Sequence, residues 1–156
     1  IRSAVYARQD RVLEIRRLTE KSISSAHIEA FTAWENGATE QEMNPILQLI
    51  RESQWRWDWV AAANSVGFHS PVEALRVLGT SLQKAEQARG MLAVVLTKHN
   101  VSIPVASPDI STKAKAQKFI GLDMEKIMAD KKKFLESVVP DWDKKAQARQ
   151  GTLIKY

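Results

Sequence analysis

From Leu75 to His99 one stripe of positions steps by three and four without a break: Leu75, Leu78, Leu82, Ala85, Arg89, Leu92, Leu96 and His99. That period draws a narrow seam along one helix for almost four heptads. A seam this regular needs partner helices to cover it, from this chain or from a second copy. Upstream, Val5, Val12, Ile15, Thr19, Ile23, Ala26, Ala30 and Ala33 share a stripe on a helix predicted over about 2–36. Met43, Ile46, Leu47, Ile50, Gln54, Trp57, Ala61 and Asn64 do the same over about 40–66, and the seam helix runs over about 71–99. No alternating strand pattern occurs. The expected class is all-α, with long helices in an elongated multi-helix array.

Local signals punctuate these helices. Asn36-Gly37 is a stop, because glycine takes the left-handed conformation that ends helices. Thr39-Glu40-Gln41-Glu42 reads as a capping box, and so does Ser70-Pro71-Val72-Glu73, reinforced by proline at the first helical position. Between the second and third helices Gly67-Phe68-His69-Ser70-Pro71 forms an elbow. Trp55 and Trp59 face nearly opposite Trp57 on a helix, so large neighbours are expected on both sides.

Asn100 closes the seam helix, and residues 101–110 read as an extended linker holding Pro104 and Pro108. The remainder, 111–156, reads as a basic region of short helices. Ser111 is expected to cap one through Ile120 and Asp123 another over 124–139, with Pro140 breaking the second. The domain organisation expected is therefore a long-helix region over 1–100, the linker, and this basic region.

Composition excludes several chemistries. The chain has no cysteine, which removes disulfides, thiolate zinc sites, iron–sulfur ligation and a Cys-x-x-Cys-His haem attachment. The net charge of +5 is carried by Ser111 onward, where eleven lysines and arginines face six acids. The few aromatic residues among those lysines do not make a base-stacking platform, so nucleic acid is not expected as a partner. Neither a transmembrane run nor a signal peptide is visible. The first residue is not methionine, and helix starts uncapped at once, as expected of a fragment of something larger.

No paired acid and base, phosphate loop or nucleophile elbow is present. Of the three histidines, His99 continues the seam near a helix end and reads as structural, and His27 reads as a packing histidine. His69 differs: the elbow fixes its imidazole between a glycine and a proline-locked helix start, as a haem ligand requires.

Several runs carry a resemblance: His27-Ile28-Glu29-Ala30 through Trp34, Gly37-Ala38-Thr39-Glu40, Gln54-Trp55-Arg56-Trp57-Asp58, His69 through Gly79, and Pro108-Asp109-Ile110-Ser111-Thr112-Lys113. Together they resemble the C-terminal region of ammonia-forming cytochrome c nitrite reductase, over nearly the whole chain. The resemblance implies a periplasmic, homodimeric, pentahaem enzyme that reduces nitrite to ammonium with six electrons. It implies that His69, just before the Pro-x-Glu helix start, is the distal axial ligand of one haem c attached outside this chain. It also implies that the catalytic haem, the active-site residues and the calcium ligands lie upstream, so no catalytic residue is expected here. Ser53 and the pair Asn64-Ser65 depart from the family's usual residues, at positions that are not iron ligands.

The competing expectation is a haem-free helical module that dimerises through its seam and uses its basic tail on anionic partners. With tryptophans on opposite faces and a long seam to cover, the chain is expected to fold poorly by itself.

Overall fold

The structure is a computed structural model that describes residues 2–150. Six helices and no strand occur among them: α1 (Arg2–Glu35), α2 (Glu40–Ala62), α3 (Pro71–Lys98), α4 (Lys113–Phe119), α5 (Met124–Ser137) and α6 (Val139–Gln150). The all-α expectation is met. The chain divides into two compact units between Ser107 and Pro108.

In the first unit α1, α2 and α3 pack as an up-down-up bundle. Their register is read from side-chain bonds. Gln9 of α1 reaches Ser65 just past α2, and His27 meets Gln54, so α1 and α2 are antiparallel. Ser53 of α2 meets Ser81 of α3, while Ser22 and Glu29 of α1 meet Glu86 and Arg89. The seam is therefore covered by α1 and α2 of the same chain. Leu78, Ala85, Leu92 and Leu96 are buried, and Ala74, Ser81, Ala88 and Val95 extend the same face. Of the two grounds for expecting poor independent folding, the uncovered seam is therefore removed.

Two apolar clusters fill the bundle. One gathers Val12, Val60, Ala74 and Leu78. The other gathers Ala26, Ala30, Ala33, Met43, Ile46, Ile50, Ala88, Leu92 and Leu96. Between them, beside buried Ile23 and Ala85, the three helices place four buried polar residues: Thr19, Ser22, Ser53 and Ser81. Each has its bond. Thr19 donates to the Ile15 carbonyl at 2.8 Å and Ser22 to Glu86 at 2.5 Å. Ser53 Oγ donates to the Ser81 carbonyl at 2.7 Å, and Ser81 Oγ donates to the Ser53 carbonyl at 2.6 Å. The reciprocal pair fixes the register of α2 on α3, since a slip would break two buried hydrogen bonds at once.

At the far end of the bundle, Gly37 turns the chain at φ 88°. The capping box forms as its residues require: Glu42 N–H donates to Thr39 Oγ1 at 3.3 Å, and Thr39 N–H donates to Glu42 Oε2 at 2.8 Å. The same carboxylate takes Lys98 Nζ, and His99 Nε2 lies 3.2 Å away. One glutamate thus ties the start of α2 to the end of α3. His99 is structural, as expected.

The second unit corrects several boundaries. Thr112, rather than Ser111, caps α4 by accepting from Lys115 N–H at 3.3 Å. Ser111 instead donates its N–H to Asp109 Oδ1 at 3.0 Å, and Lys115 Nζ reaches Asp109 Oδ2 at 2.5 Å. Lys115, and then Ser111, draw the Asp109 carboxyl down to about 2. Asp123 caps α5. That helix ends at Ser137, and Pro140 sits in the first turn of α6, where a missing N–H costs nothing. Phe134 and Trp142 stack edge to face, with ring centroids 5.4 Å apart.

Two outcomes follow for stability. Ser53→Val removes the bond from Ser53 Oγ to the Ser81 carbonyl, sets a methyl group beside the Ser81 hydroxyl, and should cost about 0.5–1.5 kcal/mol; a lower urea midpoint at unchanged slope checks it. Glu42 is held well below the ordinary carboxylate range, chiefly by Lys98 and then by Thr39 and His99. Its contribution is therefore complete above the unfolded value of about 4.3 and is lost as pH falls below it. Glu42→Gln should flatten the acid limb of a midpoint-versus-pH curve, and an identical limb would refute the clasp.

Candidate functional site

Past Ala62 the backbone leaves the helix and enters the left-handed region at three successive residues: Ser65 (φ 85°), Val66 (φ 49°) and Gly67 (φ 74°). Only the glycine accepts that conformation freely. For serine, and more so for β-branched valine, it is strained by about 1–3 kcal/mol each and persists only where the surroundings enforce it. The expected helix to residue 66 stops four residues early for this reason.

The enforcement comes from α1 and α3. Gln9 Nε2 donates to the Ser65 carbonyl at 2.8 Å, and Phe68 N–H donates to the same oxygen at 3.0 Å. Gly67 lies so close to α1 that a Cβ there would fall 2.9 Å from Val12 Cγ2 and 3.2 Å from Ala74 Cβ. Val12 is fully buried. The elbow is thus pressed onto the first apolar cluster, and the next two residues, Phe68 and His69, are carried outward from it.

His69 is exposed. Its ring meets Phe68 edge to face at 5.2 Å. Neither of its ring nitrogens makes a hydrogen bond among the described residues. An imidazole with free nitrogens, beside an elbow tied to α1, has the donor chemistry of an axial haem ligand. On that test the residue fits the group the sequence implies.

The second expected capping box is not formed. Ser70 sits at the N-cap with φ −146° and ψ 69°, and its hydroxyl makes no capping bond. Glu73 turns outward to chelate Arg76, at 2.8 Å to Nε and 2.5 Å to Nη2, which holds the Glu73 carboxyl below its ordinary range. Pro71 at the first helical position, with the Ala74 N–H to Ser70 carbonyl bond of 3.0 Å, starts α3 instead.

The three α2 tryptophans separate as their spacing requires. Trp57 turns inward, and its indole donates to the Arg16 carbonyl at 3.0 Å. Trp55 and Trp59 remain 70% and 53% exposed, so within the first unit only one side of this ladder is covered. They border a cleft of about 360 Å³ with Arg56, Glu73, Arg76, Val77 and Thr80, between α2 and the first turns of α3. Phe31 and Trp34 on α1 are exposed as well.

His27 is a correction to the packing reading. It is exposed, with Nε2 2.7 Å from Gln54 Oε1. It borders a separate cleft between α1 and α2, with Arg51, Trp55 and Asp58.

A cleft of about 600 Å³ lies along α1 and α3 beside residues 104–107. Three of its charged groups pair with one another: Arg89 Nη2 meets Glu29 Oε1 at 2.8 Å, Arg89 Nη1 meets Glu86 at 3.4 Å, and Ser22 donates to Glu86. Lys21 also borders the cleft. Among the described residues no group of three or more His, Cys, Asp or Glu could hold a metal ion. No helix among the described residues is long and apolar enough to cross a membrane.

A family model for cytochrome c552 matches residues 1–150. Cytochrome c-552 of Porphyromonas gingivalis (strain ATCC BAA-308 / W83) is 50% identical over 154 residues, which is 99% of this chain and 31% of that protein. The chain therefore spans under a third of the length of the curated relative it matches. Haem c in a parent protein accords with that family, and the absence of any cysteine accords with none being attached here. With a match along nearly all of its length and half of its residues identical to one member, this chain belongs to the cytochrome c552 family.

Proposed function

We propose that the chain is the C-terminal helical portion of an ammonia-forming cytochrome c nitrite reductase, and that it supplies one distal axial ligand, His69, to a haem c attached outside it. The single observation that carries this reading is His69 itself: an exposed imidazole with no hydrogen bond among the described residues, on an elbow held in left-handed backbone by α1. Family membership supplies the chemistry to which such a group answers. When bound, a haem supplies one-electron redox chemistry at its iron, tuned by its axial ligands.

Each residue of the elbow then has a task. Val12 and Gln9 position the backbone, Gly67 permits the approach, Pro71 locks the departing helix, and His69 presents a ring nitrogen. Exposed Trp55 and Trp59 are suited to walling a flat macrocycle, with Arg56 and Arg76 beside them for carboxylate groups. Exposed Phe31 and Trp34 are suited to a face that meets a second copy as a homodimer.

The reduction of nitrite to ammonium by six electrons belongs to the whole enzyme. Its catalytic haem, calcium site and reacting residues lie outside these 156 residues, and its compartment is the periplasm. The haem-free module has less to recommend it, because the seam it would dimerise through is already filled from within the chain.

Two variants of the full-length protein test the reading. His69→Ala should convert one low-spin haem to a high-spin form and shift one midpoint on the order of 100 mV, well inside the roughly 0.8 V that axial ligands span. Unchanged spectra and potentials would refute the ligand assignment. Gly67→Ala forces a methyl group onto Val12 at positive φ and should cost about 1–3 kcal/mol. It should also perturb the same haem's signal while leaving its attachment intact.

A further inference from the structure

The second unit carries an apolar stripe that nothing within it covers. None of its described residues is buried. Ile127, Met128, Phe134 and Leu135 of α5 and Trp142 of α6 are each more than 40% exposed. On α5 the first four, with Met124, recur at helical spacing and share one face. The edge-to-face contact of Phe134 with Trp142 ties the α6 indole to the end of that face. An exposed stripe of this kind on a folded unit marks a docking surface.

The composition of the stripe selects what covers it. Lys131 falls at its centre by helical angle and makes no ion pair or hydrogen bond among the described residues. A lipid interior penalises a lysine in that place, whereas a protein surface can offer it a carboxylate. The rest of α5 is mixed in sign, with Glu125, Asp130 and Glu136 among Lys126, Lys132 and Lys133. That is unlike the basic polar face of an interfacial membrane helix. A large protein surface is also available: the matched segment is 31% of the Porphyromonas gingivalis protein, which leaves more than twice as much polypeptide besides.

We propose that this stripe docks the second unit onto the part of the full-length polypeptide lying outside these 156 residues, on a surface apolar at its centre with a carboxylate facing Lys131. The proposal rests on the reading of the chain as one portion of a longer protein. The docked helices then act as a strap that holds the C-terminal end against the haem-bearing part.

Amide hydrogen exchange, followed on the 156-residue chain and on the full-length protein, tests it. The amides of α5 should exchange at least about tenfold more slowly in the full-length protein. Lys131→Glu in the full-length protein should return them toward the faster rate. Equal protection in both would mean that the chain's own first unit or a second copy is the occupant, and would overturn the proposal. Equal fast exchange in both would overturn it too, as would slowing that appears only with phosphatidylglycerol vesicles. Haem absorbance of the same full-length sample reports separately on the functional reading. Haem present with α5 unprotected defeats the docking alone, and α5 protected without haem defeats the haem reading alone.

Discussion

Small side chains on the inner face of α3 let two other helices lie against it at once. Ala74, Ser81, Ala85 and Ala88 lie among Leu78, Leu92 and Leu96 along that face, so α1 and α2 can both approach closely. Because α3 is the shared partner, both of its ends become fixed points. At its C-terminal end Glu42 gathers Lys98 and His99. At its N-terminal end Ala74 and Val12 together close on Gly67. The strained backbone of Ser65 and Val66 survives because release would expose this contact and free the Gln9 bond.

The bundle's middle layer has a matching role. A core of apolar side chains alone tolerates sliding of one helix on another, and the Ser53–Ser81 pair does not. Register matters here because a slip of α3 would carry the elbow with it. His69 is thus positioned by groups that lie several turns away from it, and its own contacts are few.

Much of this was legible in the sequence, and the exceptions have physical reasons. The stripe on α1 and the seam on α3 are long and periodic, so helix existence and inward faces followed directly, as did the Thr39–Glu42 box. The second box failed because Arg76, three residues along, competes for Glu73 more strongly than the Ser70 backbone does. The end of α2 was misplaced because nothing in Asn64-Ser65-Val66 announces left-handed backbone, which is imposed from α1. His27 was read as packed because its neighbours at helical spacing are apolar, yet its angle falls just outside the buried stripe. Ser53, a departure from the family's usual residue, carried no signal of its role: its partner is twenty-eight residues away. His69 was legible only as an unusual position, and its assignment came from resemblance.

What the 156 residues lack is as instructive as what they hold. They carry no cysteine to attach a haem, and Glu29 and Glu86 in the cleft along α1 and α3 are paired with Arg89. They do carry an exposed imidazole, exposed indoles with guanidinium groups beside them, and an uncovered stripe on α5. These are the features that the proposed function requires. The most direct test is an experimental structure of the full-length protein with its haems in place. The account predicts density continuous from a ring nitrogen of His69 to a haem iron. A haem ligated at both axial positions by other residues, with His69 left in solvent, would contradict it.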